Sequence, residues 1–230
     1  MSVKLREIEE LASSDVKAAI VITESEPNQQ HVGIAFIEND ELTYSLAHLP
    51  FHHRPLKGRL TDYYYWVELR LSRARRLQIA ARCREILASH PGGLPFAFTP
   101  PNDCFDKETG QSLLGPSGSG LTCATFVLAV FDSIGLPLVK WDTWPYRAKD
   151  ILWQKRVVKA LKERKAAGDS ISHEHITAVE EQRDAVRCRP EEVAGSSTAP
   201  SFPLTFEEVE PLAVEVLAQL YSALGPRRPT

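Results

Sequence analysis

The stretch Leu121-Thr-Cys-Ala-Thr-Phe-Val-Leu-Ala-Val-Phe131 is apolar on every helical face. A helix of that kind has no side to give to water, so other elements must enclose it. Thr122 is a natural N-cap for it, and Gly135 and Pro137 stop it. The residues before it supply the enclosing layer. Lys17–Glu24 reads as a buried β-branched strand, bounded by the turn-prone Ser25-Glu-Pro-Asn28. His31–Ile37 and Leu42–Leu49 read as two more strands. Glu38-Asn-Asp-Glu41 is the hairpin turn between them, since Asn39 and Asp40 tolerate positive φ. The expected fold class is therefore α+β: a small antiparallel sheet packed on a buried central helix, followed by a C-terminal helical extension.

At 230 residues the chain is longer than such a core needs. Residues 4–13 look like a short amphipathic helix. From Thr61 to Ser89 the period turns helical, with Val67, Leu71, Ala74, Leu77, Ala81 and Ala88 on one stripe, and Gly92 and Gly93 end the run. Leu94–Phe98 suits an edge strand because of Pro95, and 99–120 reads as loop. After Trp144-Pro145 a basic helix (147–166) and a mixed-charge helix (172–187) follow. The Pro-, Gly- and Ser-rich stretch 189–203 reads as a flexible linker. Thr205-x-x-Glu208 is a capping box that opens a last helix. These readings place a core at 1–145, a helical extension at 146–188, a linker at 189–203, and a C-terminal helix and tail at 204–230.

The charge sum, 27 − 30 = −3, gives no general basic character that would suit nucleic acid. No apolar run approaches the roughly 20 residues that span a bilayer. The first ten residues carry acids where a signal peptide carries an apolar core. The expected location is the cytoplasm. Four scattered cysteines are too few for a disulfide scaffold and read as reduced thiols, which leaves a thiol nucleophile open.

Cys123 is the leading candidate for that role. It follows a glycine-rich loop and falls in the first turn of the buried helix. The free N–H groups and dipole there favour a thiolate and can hold an oxyanion. The alternative is that Cys123 is simply a small buried hydrophobe. The hairpin adds to the catalytic case. If Glu38 faces Glu41, paired numbers sum to 79 and His31 lies opposite His48, so both rings project from one face. One can act as base toward a thiol while the other fixes its tautomer. Against this, the two histidines can merely end their strands at the surface.

A strand opening His31-Val-Gly-Ile-Ala-Phe, a second polar residue brought up by a hairpin, and Gly120-Leu-Thr-Cys-Ala-Thr-Phe-Val at a buried helix start resemble the circularly permuted papain-like (NlpC-type) cysteine hydrolases. That family, which includes relatives of lecithin:retinol acyltransferase, places histidine before cysteine, as this chain does. The resemblance covers about residues 17–140. It implies Cys123 as nucleophile, His31 as general base and His48 as its orienting partner, with the N–H of Cys123 in the oxyanion hole. The substrate would be an amide, isopeptide or ester: a peptide, a protein conjugate or an acyl ester. The chain departs from the family in the arginine-rich helix between His48 and Cys123. It also lacks the Glu-His-Phe that follows the cysteine in the acyltransferase branch, which favours hydrolysis over acyl transfer.

Other signals are weaker. Gly115-Pro-Ser-Gly-Ser-Gly120 nearly spells a phosphate-binding loop, but Leu121 stands where the lysine is needed; close backbone approach explains these glycines better. His48, His52 and His53 are dense but lack the further ligands zinc requires, so neither metal nor cofactor is expected. Cys104 is a rival nucleophile, flanked by acids that would raise its pKa. Residues 54–84 hold nine Lys/Arg against Asp62 and Glu68, a local 9 − 2 = +7 behind Tyr63-Tyr-Tyr-Trp66. A solvated helix face is the plain reading. An acidic partner could dock there, and nucleic acid is the less suited partner. The competing reading of the whole chain is a non-catalytic binding module that uses this helix and the helical extension.

Overall fold

The computed structural model describes residues 3–38, 43–182 and 185–225. Among these, the chain is α+β. A six-stranded antiparallel sheet has the order β1 (Arg6–Glu7), β6 (Tyr65–Val67), β2 (Ala18–Glu26), β3 (Gln29–Ile37), β4 (Tyr44–Ala47) and β5 (Lys57–Gly58). The alternation of β2 and β3 explains the layering. Ala18, Ile20, Ile22, Val32, Ile34 and Phe36 face the main core. Ala19, Val21 and Ala35 join Leu46 and Trp66 in a smaller core on the other face, closed by Leu11 of α1 (Ile8–Ala12).

The apolar stretch forms α3 (Cys123–Asp132), and all residues from Ala124 to Phe131 are buried. It packs against β3, α2 (Arg73–Ser89) and α6 (Pro190–Ser196). The helices α4 (Asp150–Ala166), α5 (His173–Glu181) and α7 (Phe206–Leu224) complete the fold. The reciprocal capping box opens α7, where Thr205 accepts from the Glu208 N–H and the Glu208 carboxylate accepts from the Thr205 N–H.

Several expectations need correction. Residues 189–203 are not a flexible linker. Their first half is α6, buried along its whole length and packed on α7 and β3. Small residues make this possible: a Cβ on Gly195 would lie 3.0 Å from the backbone of α7 at Leu212 and Ala213. The composition that suggests a linker is here the composition of close helix packing. Consequently the core does not stop at residue 145, and a single apolar cluster runs from Val3 to Leu220. The helix expected over 61–89 begins only at Arg73, capped by the Ser72 hydroxyl, and its first part is strand β6. Tyr65-Trp66-Val67 is an aromatic and β-branched run that fits a pleated surface. The buried side of α2 is Ile79, Ala80, Cys83 and Ile86, with Ala74 and Ala88 exposed. In place of the N-terminal helix over 4–13, β1 precedes the short α1. Leu94–Phe98 forms no strand, only a bridge between Phe96 and Leu121. The mixed-charge helix ends at Glu181, well before residue 187.

The register of β3 with β4 is also shifted. The pairs Ile34–Ala47, Ala35–Leu46 and Phe36–Ser45 all sum to 81, not 79. The Glu38 N–H bonds the Thr43 carbonyl, so the closing loop is longer than a two-residue turn. The rest of the expected turn, residues 39–41, lies outside the described residues. His48 thus lies opposite Gly33 rather than His31. A shift of two keeps every side chain on its face, since the period of a strand is two. His31 and His48 become diagonal neighbours on that face.

Candidate active site

Diagonal placement still brings the rings together. His31 Nε2 and His48 Nδ1 are 2.8 Å apart, with ring centres 5.0 Å apart and planes at 77°. Gly58 of β5 leaves the space for this. A Cβ there would be 2.5 Å from His48 Nε2. Gly33 does the same beneath the other end of the residue, where a Cβ would be 3.1 Å from His48 Cβ. With Nε2 engaged, His31 has Nδ1 left for a second partner. Burial, and then the adjacent His48, lower the His31 pKa to about 3, and burial lowers that of His48 to about 4. Both rings are neutral at pH 7.

Cys123 is the first residue of α3 and is partly exposed. Its position is fixed by the capping box: the Thr125 N–H donates to Thr122 Oγ1 at 3.1 Å, and the Thr122 N–H donates to Thr125 Oγ1 at 2.8 Å. The Phe126 N–H bonds the Thr122 carbonyl. Of the four N–H groups at this terminus, those of Cys123 and Ala124 therefore remain for another acceptor. The preceding glycines serve close approach. A Cβ on Gly120 would be 2.5 Å from the Pro95 carbonyl oxygen, and one on Gly118 would be 2.6 Å from Ala178 Cβ.

His31, His48 and Cys123 line one pocket of about 470 Å³, between the β2–β3 hairpin, the N-terminus of α3 and α4. The three candidates from distant parts of the chain thus share a cavity, although no hydrogen bond joins the Cys123 thiol to either ring. One electrostatic expectation fails. The helix terminus does not give a depressed thiol pKa: burial raises it, against the opposing pull of the Val32 N–H, Arg187 and the N–H groups of Ala124 and Cys123. The resting site is a neutral thiol beside neutral imidazoles.

The other cysteines are worse placed. Cys104 is buried, its thiol donates to the Pro100 carbonyl, and burial with Asp132 and Asp103 pushes its pKa up to about 12. Burial raises Cys83 and Cys188 as well. His52 and His175 are engaged in the fold. His52 Nδ1 accepts from the Phe96 N–H, while His175 accepts from the Gly118 N–H at Nδ1 and donates to the Phe96 carbonyl from Nε2. Among the described residues, no group of three or more His, Cys, Asp or Glu side chains is placed to hold a metal ion.

The arginines of α2 are bound within the molecule. Arg82 donates to the Asp106 and Lys107 carbonyls, Arg84 to those of Ile37 and Glu38, and Arg76 to that of Leu69. Arg73 lies 3.6 Å from Asp15, and Arg75 bonds Gln78. The sequence reading did not single out Arg156, Arg164 and Arg187, which line the pocket itself. In the sequence Arg156 and Arg164 are marked only by the basic character of residues 147–166, and Arg187 only as the end of the mixed-charge stretch 172–187. No helix is long and apolar enough to cross a membrane among the described residues. Comparison of the chain with protein families, with curated proteins and with solved structures finds no match.

Proposed function

We propose that the protein is a cysteine hydrolase that cleaves an amide, isopeptide or ester bond, with a permuted papain-like arrangement of its site. The observation that carries this reading is the convergence of Cys123 and the bonded pair His31–His48 on one pocket. In the mechanism, His31 Nδ1 takes the Cys123 proton as the sulfur attacks the carbonyl carbon. The N–H groups of Cys123 and Ala124 hold the developing oxyanion. The imidazolium then protonates the leaving group, and water hydrolyses the thioester with His31 again as base. His48 acts as a positioning residue, since its bond to Nε2 keeps His31 in the tautomer and orientation that present Nδ1.

A neutral thiol–imidazole pair fits a site that transfers its proton only as the attack occurs. The binding-module reading draws less support, because Arg82 and Arg84 of α2 are engaged with backbone carbonyls of the fold, which leaves Arg73 and Arg75 as its exposed cations on that helix. The test is acylation by a p-nitrophenyl ester, read as nitrophenolate release and as acyl mass on Cys123, across pH. Cys123→Ala should abolish the acyl adduct. His31→Ala should remove most of the rate and its pH dependence, while His48→Ala should fall between and His48→Gln should recover part. An acyl group on Cys83, Cys104 or Cys188 instead, or a His31→Ala profile that coincides with wild type, overturns the assignment.

A further inference from the structure

The pocket around Cys123 is cationic. Three arginines line it, Arg156, Arg164 and Arg187, against one carboxylate, Glu26, so with both histidines neutral the lining carries 3 − 1 = +2. The three are held in different ways. Arg156 is exposed and forms no hydrogen bond or ion pair among the described residues. Arg164 lies over the Phe51 ring at 5.0 Å and shares Asp169 with Arg54. Arg187 is only 16% exposed, and its guanidinium lies 3.8 Å from the centre of the Trp153 ring. It bonds Asp150, a carboxylate that also serves Arg147 and Arg189, while Glu192 pairs with Arg147 and Glu191 lies near Arg187, so the cluster holds three guanidiniums and three acids. The chain thus orients a largely buried guanidinium in the wall of the pocket, and leaves Arg156 as the cation there without a partner among the described residues. Two aromatic rings, Phe51 and Trp153, brace the arginine planes, as in sites built to recognise planar anions.

We propose that this pocket selects substrates that carry a carboxylate beside the scissile carbonyl, with Arg187 and Arg156 reading that group and Arg164 adding to the field. The proposal rests on the reading of Cys123 as the nucleophile and gives it a substrate class: acidic peptides or acyl groups with a second carboxylate. The geometry implies a division of labour. Arg187, fixed by Asp150 and Trp153, is a preformed wall of the site, and its bidentate fork matches a carboxylate. Arg156, on the exposed face of α4, supplies the charge that no acid of the fold already takes among the described residues. Glu26, at the other side of the mouth, repels acidic groups that enter in the wrong direction.

The test compares two reagents that differ in one charge, iodoacetate and iodoacetamide. In each, the Cys123 thiol gives up its proton to a base or to water, the sulfur forms a bond to the methylene carbon as iodide leaves, and mass spectrometry identifies the labelled cysteine. An ordinary thiolate disfavours the anionic reagent through like-charge repulsion. Cys123 in the folded protein should instead prefer iodoacetate. Arg156→Gln should lower the iodoacetate-to-iodoacetamide rate ratio about tenfold, as loss of a focusing charge in a cleft does. Arg156→Glu should lower it further, Glu26→Gln should raise it, and added salt should flatten all of these differences. Arg70→Gln removes an exposed arginine outside the pocket and should leave the ratio unchanged. If Cys123 reacts with iodoacetamide but the ratio is that of a free thiol, or is untouched by Arg156→Gln, the anion selectivity is refuted while the nucleophile stands. If Cys123 reacts with neither reagent, the nucleophile reading falls and the substrate class falls with it.

Discussion

Gly58→Ala tests the role of His48 without touching a reactive side chain. A Cβ at residue 58 would lie 2.5 Å from His48 Nε2, where ordinary contact begins at 3.4 Å. The ring must therefore retreat by 3.4 − 2.5 = 0.9 Å. Because β4 lies between β5 and β3, the push is toward His31, across a gap already at 2.8 Å, so the ring has to turn aside and the bond loses its geometry. A misplacement of about 1 Å in a positioned catalytic group costs roughly 100-fold in rate. Stability should barely move. Losing one neutral hydrogen bond costs about 1 kcal/mol. The stiffer alanine returns about 0.4–1 kcal/mol, because φ of Gly58 lies outside the left-handed region. The assay pairs the rate of Cys123 acylation with the urea midpoint, and Gly92→Ala is the control, since a Cβ there meets nothing within 4 Å. A Gly58→Ala protein that keeps its midpoint and acylates at the wild-type rate refutes the idea that His48 orients His31.

Truncation before Arg189 should abolish the cooperative thermal transition. It removes Val193, Val209, Val216 and Leu220 from the core, at roughly 1.5–3 kcal/mol each, against a total stability of about 5–15 kcal/mol; a truncated chain that still melts sharply would show that the core closes without them. Acid should weaken the fold early. The pKa values of His31, His48 and His52 are lowered from 6.5 to about 3, 4 and 3, so the unfolded chain takes up protons that the folded chain refuses. Stability present above pH 6.5 is then lost as pH falls toward 3. Urea unfolding at pH 7 and pH 5 should show the drop, and His52→Gln should reduce it; equal midpoints at the two pH values would contradict neutral burial of these rings.

The parts of the fold that could be read in advance are those whose signal is local. The β-branched runs of β2 and β3 and the capping residues Thr122, Thr205 and Glu208 announce their elements because the physics involved spans only a few residues. The gathering of His31 and His48 survived an error in register because that error was an even number, which leaves faces unchanged. What was hidden depends on partners distant in sequence. Nothing local says that Gly195 and Ser196 are packed against α7 rather than free in solvent, although Pro190 followed by Glu191-Glu192 is a helix-start pattern that could have raised the question. Tyr65-Trp66-Val67 sits directly before a helical period and was absorbed into it. The cationic wall has no local signature, because Arg187 is recruited to Cys123 only once the helices have docked.

That recruitment carries a consequence for synthesis. His31 and Arg187 are separated by 187 − 31 = 156 positions, and the wall of the pocket includes Cys188 and Pro190 as well. A ribosome that has released the chain through α3 has already delivered both histidines and the thiol, but not the charged wall that selects what reaches them. Contacts between such distant segments form late, because closing a long loop is entropically slow. During this interval the cysteine lacks its selectivity filter, and it also lacks part of the packing that buries it and raises its pKa in the finished fold. Burial of the thiol and completion of the charged wall thus arrive in the same docking step, so the site gains its restraint and its selectivity together.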